Sequence, residues 1–335
     1  MSKIAIIGSG TWGTALGQTL NDNGHDVFMF GNKQEQIDDI NINHKNSFYF
    51  GDDIILDSKI KATLSIEEVV KGRNIILLSV PTAAMRSVLE QIKPLIKEKT
   101  IFINTAKGFD IEQNMLISDL IRSVIPEELR YPIVSLIGPS HAEEVIVRDL
   151  TCVCSVCKDE KIAMEVAKLF SNSYFRVYTN TDEIGSEIGV AMKNAIAIAS
   201  GILEGLQYGD NARAALCTRG LAEIVRYGTA FGAKPTTYLG LTGLGDLIVT
   251  CYSFHSRNFT AGLEIGKADS AEDFLKNNTK TVEGIRTIKV IYQNAKTKNI
   301  DLPIIDALYQ IVYEGKKPSV IINEIMNRPL KKEHV

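Results

Sequence analysis

The sequence predicts an α/β domain of the Rossmann type followed by an all-α domain, and three observations support this. Short apolar runs alternate with helix-patterned segments from residue 3 to about residue 178. A glycine-rich turn joins the first apolar run to the first helical segment. After Tyr178 the patterning is helical and no persuasive strand follows. The expected domains are therefore 1–180 and 181–335, each long enough to bury its own core.

Composition narrows the class. The chain has 335 residues, 45% of them hydrophobic and 23% charged, as in ordinary globular proteins. A net charge of −3 argues against general nucleic-acid binding, which needs a basic surface. Local basic residues can still hold a small phosphorylated ligand. No N-terminal stretch has signal-peptide character, and no apolar run reaches the ~18 residues of a membrane span. Five cysteines, an odd number in a long chain, do not suggest a disulfide framework. The cytoplasm is the default address. Cys152, Cys154 and Cys157 sit close together, but Thr151-Cys-Val-Cys-Ser-Val156 has a strand pattern. Cys152 and Cys154 are then small buried residues on one face, and no metal site is expected.

The first element is the strand Lys3-Ile-Ala-Ile-Ile7, followed by Gly8-Ser-Gly-Thr-Trp-Gly13 and the helix-forming Thr14-Ala-Leu-Gly-Gln-Thr-Leu20. This is the order of a dinucleotide-binding βαβ unit. Gly8 permits the sharp turn, Gly10 lets backbone N–H groups approach a pyrophosphate, and Gly13 allows close helix–strand packing. The helix N-terminus adds free N–H groups and partial positive charge. A purely structural turn is the other reading of these glycines.

The second strand, Asp26-Val-Phe-Met-Phe30, bears on which nicotinamide cofactor fits. NAD-selective sites usually carry Asp or Glu at its end, to hold the ribose 2′-hydroxyl. Here Gly31-Asn-Lys33 follows, and Asp26 lies about 14 Å too early at a rise of ~3.3 Å per residue. Asn32 can hydrogen-bond and Lys33 can pair with a 2′-phosphate, which favours NADP(H) while leaving NAD(H) open. The plain alternative is that both are solvated turn residues.

Residues 34–73 are polar and less regular. The run from Arg73 to Val80 suits a strand buried on both faces, with Pro81 ending it and a helix over Thr82–Ile92. Further strands are expected over Ile101–Thr105, ending in Ala106-Lys-Gly108, and over Ile133–Ile137, ending in Gly138-Pro-Ser-His-Ala142. A helix is expected over Ile111–Val124, and Tyr174-Phe-Arg-Val-Tyr178 closes the domain. Ligands of open α/β sheets sit beyond the carboxyl ends of the strands. The strand-end residues Gly8–Trp12, Pro81, Lys107 and Gly138–Ala142 should then converge.

In the second half, Asp182–Leu206 is rich in small residues, as close-packed helices require. More helices are expected over Asn211–Phe231, Asn258–Gly266, Thr281–Thr297, Pro303–Tyr313 and Ser319–Asn327. The stretch Gly240-Leu-Thr-Gly-Leu-Gly-Asp246 lacks a preceding strand and is a turn that places Asp246. The basic tail after Arg328 is a solvated terminus. Lys193 has Gly189, Val190, Ile196 and Ala197 as its helix-face neighbours, so it does not sit on a solvated face. Its ammonium either snorkels to water or is a desolvated amine able to exchange a proton near neutrality. A nearby carboxylate such as Asp246 would favour the charged form. Ser256-Arg257-Asn258 at a helix start can clamp a phosphate, and can equally be an ordinary N-cap.

Together, Gly8-Ser-Gly-Thr-Trp-Gly13, Lys107-Gly108, Gly138-Pro-Ser140, Lys193-Asn194, Gly243-Leu-Gly-Asp246-Leu, Ser256-Arg-Asn258 and Val282-Glu-Gly284 resemble bacterial NAD(P)-dependent glycerol-3-phosphate dehydrogenases. The segment Arg213-Ala-Ala-Leu-Cys-Thr-Arg219-Gly-Leu-Ala-Glu223 adds to the resemblance, which runs in order over nearly the whole chain. It implies interconversion of dihydroxyacetone phosphate and sn-glycerol 3-phosphate, feeding glycerophospholipid synthesis, by a homodimer. Lys193 is implied as the proton acceptor in the oxidation, with Lys107 and Asp246 as further catalytic residues. Substrate contacts are implied for Lys107, Gly138, Ser140, Lys193, Asp246, Ser256, Arg257 and Asn258. Along the cofactor it implies Thr11, Trp12, Asn32, Lys33, Tyr49, Lys107, Ala142, Arg257, Thr281 and Glu283, besides Gly8, Gly10 and Gly13. Asn32 stands where many members carry His, and Lys33 where some carry Arg. The alternatives are a related dehydrogenase of β-hydroxy acids or sugar acids, and a non-catalytic dinucleotide sensor.

Overall fold

Eight strands join in one sheet in the computed structural model, which describes residues 1–110, 112–279, 281–330 and 332–333. Ile111, expected to begin a helix, and Lys331, His334 and Val335 of the basic tail lie outside the described residues. The strands are β1 (Lys3–Ile7), β2 (Asp26–Phe30), β3 (Lys61–Thr63), β4 (Ile75–Leu78), β5 (Ile101–Asn104), β6 (Phe109–Asp110), β7 (Met115–Leu116), β8 (Val134–Ile137), β9 (Thr151–Val156) and β10 (Phe175–Asn180). The sheet runs β10-β9-β8-β5-β4-β1-β2-β3, without β6 and β7. Its neighbours are parallel except β8 and β9.

The chain divides into two compact units, Met1–Ala106 with Met115–Glu183, and Lys107–Asn114 with Ile184–Val335. The sheet lies wholly in the first. Its central strands β1, β4, β5 and β8 are buried almost throughout because both faces are covered. Ile4, Ile6, Leu77 and Ile103 pack on one side with Leu16, Leu20 and Phe170. Ala5, Ile7, Ile76, Leu78 and Phe102 pack on the other with Met85, Leu89 and Leu120. Each large aliphatic side chain so buried contributes about 1.5–3 kcal/mol. Chain order reverses at β1, which lies between β2 and β4, and that reversal is where such sheets bind ligands.

Two local expectations are corrected. The helix expected over Ile111–Val124 covers only Ile117–Val124, because Asn114 takes a left-handed φ of 53° and β7 follows. Cys152 and Cys154 do point to one face of β9, but only Cys154 is buried. The register with β8 begins at Cys154, so Cys152 overhangs the end of that neighbour.

Apart from β6, which the segment Lys107–Asn114 carries, the second unit is helical, and no strand occurs among the described residues of 184–335. Its main elements are Glu183–Gly205, Asp210–Ala230, Asp246–Tyr252, Arg257–Ala268, Glu283–Lys298, Pro303–Tyr313 and Pro318–Met326. A short helix over Glu272–Asn277 was not expected from the sequence pattern. The helix Glu183–Gly205 is long and apolar enough to cross a membrane by length and composition, but 78% of its apolar window is buried in the protein.

Glycines set how closely that helix meets Arg257–Ala268. A Cβ on Gly201 would lie 2.0 Å from the Phe259 carbonyl oxygen, and one on Gly262 would lie 2.0 Å from that of Ile198. Backbone therefore meets backbone, with Gly205 and Gly266 continuing the contact one turn on. Gly201→Ala should force these helices apart and lower stability by about 1–3 kcal/mol. Urea denaturation should show a lower midpoint, and an unchanged one would contradict the close approach.

Candidate active site

The glycine turn in the first unit is built by β1 and the helix Thr11–Asp22. Gly8 has φ of 114°, and its N–H donates to the Phe30 carbonyl at 3.0 Å. A Cβ there would meet the Ser79 carbonyl oxygen at 2.3 Å, and one on Gly13 would meet that of Gly8 at 2.0 Å. Both positions therefore need glycine, as the sequence pattern requires. Gly10 differs: a Cβ on it would find only the Tyr49 hydroxyl, at 4.0 Å. The surface above Gly10 is open, and the helix behind it has neither a side-chain cap nor an acidic residue in its first turn. Its free N–H groups suit an anion. The buried Trp12 Nε1 has no hydrogen-bond partner among the described residues. These are the properties that a dinucleotide pyrophosphate requires.

Two side chains missed by the sequence reading fix this turn. Asn46 donates to the Ser9 carbonyl at 3.0 Å and to the Thr14 hydroxyl at 2.8 Å. Gln36 donates to the Ser9 carbonyl and to Asn46 Oδ1, while its Oε1 accepts from the Ser9 hydroxyl at 3.0 Å. No local pattern marks them, because both act across more than twenty residues of chain.

At the end of β2, Asn32 and Lys33 are exposed, and the Lys33 ammonium lies 4.5 Å from the centroid of the Phe48 ring. Asp26 is paired with Arg73 at 3.3 Å, at the far end of the strand. The parallel neighbours β1, β4, β5 and β8 turn their carboxyl ends to one edge. At the end of β8, Gly138 admits no side chain, since a Cβ would lie 2.9 Å from Val153 Cα. The Ser140 hydroxyl donates to the Gly138 carbonyl at 3.1 Å, and Ala142 opens the helix Ala142–Ile146.

The second unit gathers a different set. Lys193 is 4% exposed, and its ammonium donates to Asp246 Oδ1 and, at 2.8 Å, to the Thr250 hydroxyl. Lys107 approaches the other Asp246 oxygen at 3.4 Å. Lys107 follows β5 in sequence but belongs with this unit. Asp246 is fully buried and opens the helix Asp246–Tyr252, after the π-helical turn Leu241–Gly245. Thr250, one turn further on, donates to the Asp246 backbone carbonyl at 2.6 Å. The sequence reading missed it, although i and i+4 share a helix face.

Burial pulls the Lys193 ammonium down to about 7; Asp246 pulls the other way, and Lys107 adds to the lowering. Both terms anticipated from sequence are present, and desolvation dominates. Next to Lys193, Asn194 donates to Glu283 at 3.5 Å. Burial raises the Glu283 carboxyl, while the cations of Arg257, Lys107 and Lys193 oppose that rise. Ser256 caps its helix by accepting from the Phe259 N–H at 3.2 Å. Asn258 Oδ1 accepts from the Gly284 N–H at 2.8 Å. Arg257 opens the same helix, and Thr281 is exposed just before Glu283. The cluster holds two amines on one carboxylate, with a hydroxyl bonded to Lys193 and a guanidinium whose charge acts on Glu283. It is equipped to move a proton and to attract an anion.

Comparison with known proteins agrees with this chemistry. Residues 3–163 match a family model described as NAD-dependent glycerol-3-phosphate dehydrogenase N-terminus, and residues 182–323 match the corresponding C-terminus. A glycerol-3-phosphate dehydrogenase (NAD(P)+) from Streptococcus agalactiae is 48% identical over 99% of this chain and 98% of its own. One of the same name from Listeria innocua is 46% identical over 99% and 98%. The crystal structure of a glycerol-3-phosphate dehydrogenase from Coxiella burnetii superposes with a TM-score of 0.89 at 32% identity, covering 97% of this chain and 98% of that one. D-Mandelate dehydrogenase, at 16% identity and a TM-score of 0.61, shares the fold. The chain belongs to the NAD-dependent glycerol-3-phosphate dehydrogenase family.

Proposed function

We propose that this protein interconverts dihydroxyacetone phosphate and sn-glycerol 3-phosphate with a nicotinamide dinucleotide, and that Lys193 is its acid–base group. The supporting observation is the buried Lys193 ammonium, bonded to Asp246 and Thr250 with Lys107 on the same carboxylate. A nicotinamide dinucleotide held at the Gly8–Gly13 turn would supply the hydride-transfer chemistry at the substrate's C2. In the reduction, Lys193 Nζ gives its proton to the C2 oxygen; in the oxidation, the neutral amine takes the hydroxyl proton. A group titrating near 7 is suited to both directions. Lys107 stabilises negative charge on that oxygen, and Asp246 orients both amines. Arg257, with Ser256 and Asn258, holds the phosphate and fixes the reacting carbon. Gly138 and Ser140 also contact the substrate.

The pyrophosphate is assigned to Gly8–Gly13, where the helix N-terminus is uncapped. Thr11, Trp12, Tyr49, Ala142, Thr281 and Glu283 are assigned along the cofactor. NADP(H) is favoured over NAD(H), because no carboxylate ends β2, Asp26 is held by Arg73, and Lys33 is exposed. The physiological reading is a cytoplasmic homodimer supplying glycerol 3-phosphate for glycerophospholipid synthesis.

Purified protein should oxidise NADPH when given dihydroxyacetone phosphate, followed at 340 nm; no oxidation of NADPH or NADH would overturn the assignment. Lys193→Ala should lower kcat by roughly 10²- to 10⁴-fold with the cofactor still bound. Arg257→Ala should raise the Michaelis constant for dihydroxyacetone phosphate about tenfold or more. An unchanged constant would remove Arg257 from the phosphate site. The oxidation of glycerol 3-phosphate needs the neutral amine, so its kcat/KM should climb with pH through about 7. Asp246 favours the charged lysine, so Asp246→Asn should move that limb to lower pH.

A further inference from the structure

A continuous line of contacts leads from the glycine turn to Lys33, and one member of it has no assigned role. Asn46 is pinned to Ser9 and Thr14, which fixes the start of the short helix Ser47–Phe50 against the turn. Tyr49 places its hydroxyl over Gly10. The Phe48 ring meets Tyr49 edge-on, with centroids 4.9 Å apart and planes at 90°. Phe48 is 71% exposed and carries the Lys33 ammonium 4.5 Å from its centroid. Lys33 makes no ion pair among the described residues, and the helix Gln34–Asp38 begins directly after it. The ring therefore contributes little to a core, but it holds the cation that ends β2.

We propose that Phe48 is a positioning residue for cofactor selectivity, holding the Lys33 ammonium ready for the adenosine 2′-phosphate. The proposal rests on the reading that Lys33 meets that phosphate. A lysine head on a flexible four-carbon stem loses rotamer freedom when it grips an anion. A ring that already holds it removes part of that loss, and only one side of the ammonium is used. The remaining N–H donors stay available to a phosphate. An unphosphorylated ribose makes no such demand, so the ring acts on NADPH and not on NADH.

The test is titration of the single tryptophan, Trp12, by its fluorescence with NADPH and with NADH, in the full-length protein. Phe48→Ala should weaken NADPH by about two- to fivefold, the size of an exposed cation–π contact, and leave NADH unchanged. Phe48→Tyr, which keeps the aromatic face, should restore the NADPH value. Lys33→Ala should weaken NADPH more, and adding Phe48→Ala to it should then change nothing further. If Lys33→Ala weakens NADPH but Phe48→Ala does not, or if Phe48→Ala tightens NADPH, the role of Phe48 falls and that of Lys33 stands. If Phe48→Ala weakens both cofactors equally, the ring stacks on a part they share, and the proposal again fails. If Lys33→Ala leaves NADPH unchanged, the reading of Lys33 fails and takes the proposal with it.

Discussion

The second unit depends on the contact between Lys193 and Asp246, two groups that could not be buried alone. Taking an ammonium or a carboxylate out of water costs on the order of several kcal/mol, and pairing offsets this only with good additional hydrogen bonds. Here they are present. Thr250 accepts from Lys193 and donates to the Asp246 backbone, and Lys107 reaches the second carboxylate oxygen. The balance is still incomplete, because burial leaves the Lys193 ammonium near 7 and not at the usual value for an amine. That incomplete compensation leaves the lysine able to exchange a proton. A better-solvated lysine would stay charged, and one without Asp246 would lose its proton more easily still.

Maintaining such a cluster needs rigid support, which comes from backbone contacts. Lys193 and Asn194 lie on Glu183–Gly205, and Arg257 and Asn258 lie on the helix that crosses it through Gly201, Gly205, Gly262 and Gly266. Side chains at those four positions would widen the spacing, so the small residues serve geometry more than propensity. Glycine costs roughly 1 kcal/mol in a helix interior, and close packing offsets that cost. The first unit solves a comparable problem differently. Its turn must leave N–H groups unpaired above Gly10 and yet stay fixed, and Gln36 and Asn46 clamp it from behind.

Much of this was legible in the residues. The apolar runs of β1, β4, β5 and β8 and the glycine spacing were local signals, and so was the apolar face around Lys193. They depend on period and on residue type, which a single chain displays directly. The helix expected over Ile111–Val124 failed because one residue, Asn114, takes a left-handed backbone that its neighbours do not announce. Cys152 was misjudged because exposure on β9 depends on where β8 ends, which β9 cannot reveal by itself. Thr250, Gln36 and Asn46 escaped notice because single polar residues have many roles, and only their partners distinguish them.

The sequence alone determined the order of the main elements and the change from α/β to helical character near residue 180. Those properties follow from hydrophobic periodicity and backbone sterics, which are local. Only the tertiary structure decided that Lys107, Lys193 and Thr250 share one carboxylate, and that desolvation outweighs pairing at Lys193. It also decided that the Lys33 ammonium rests on Phe48. Charge balance and reach depend on distances between residues far apart in the chain, and those distances exist only once the chain has folded.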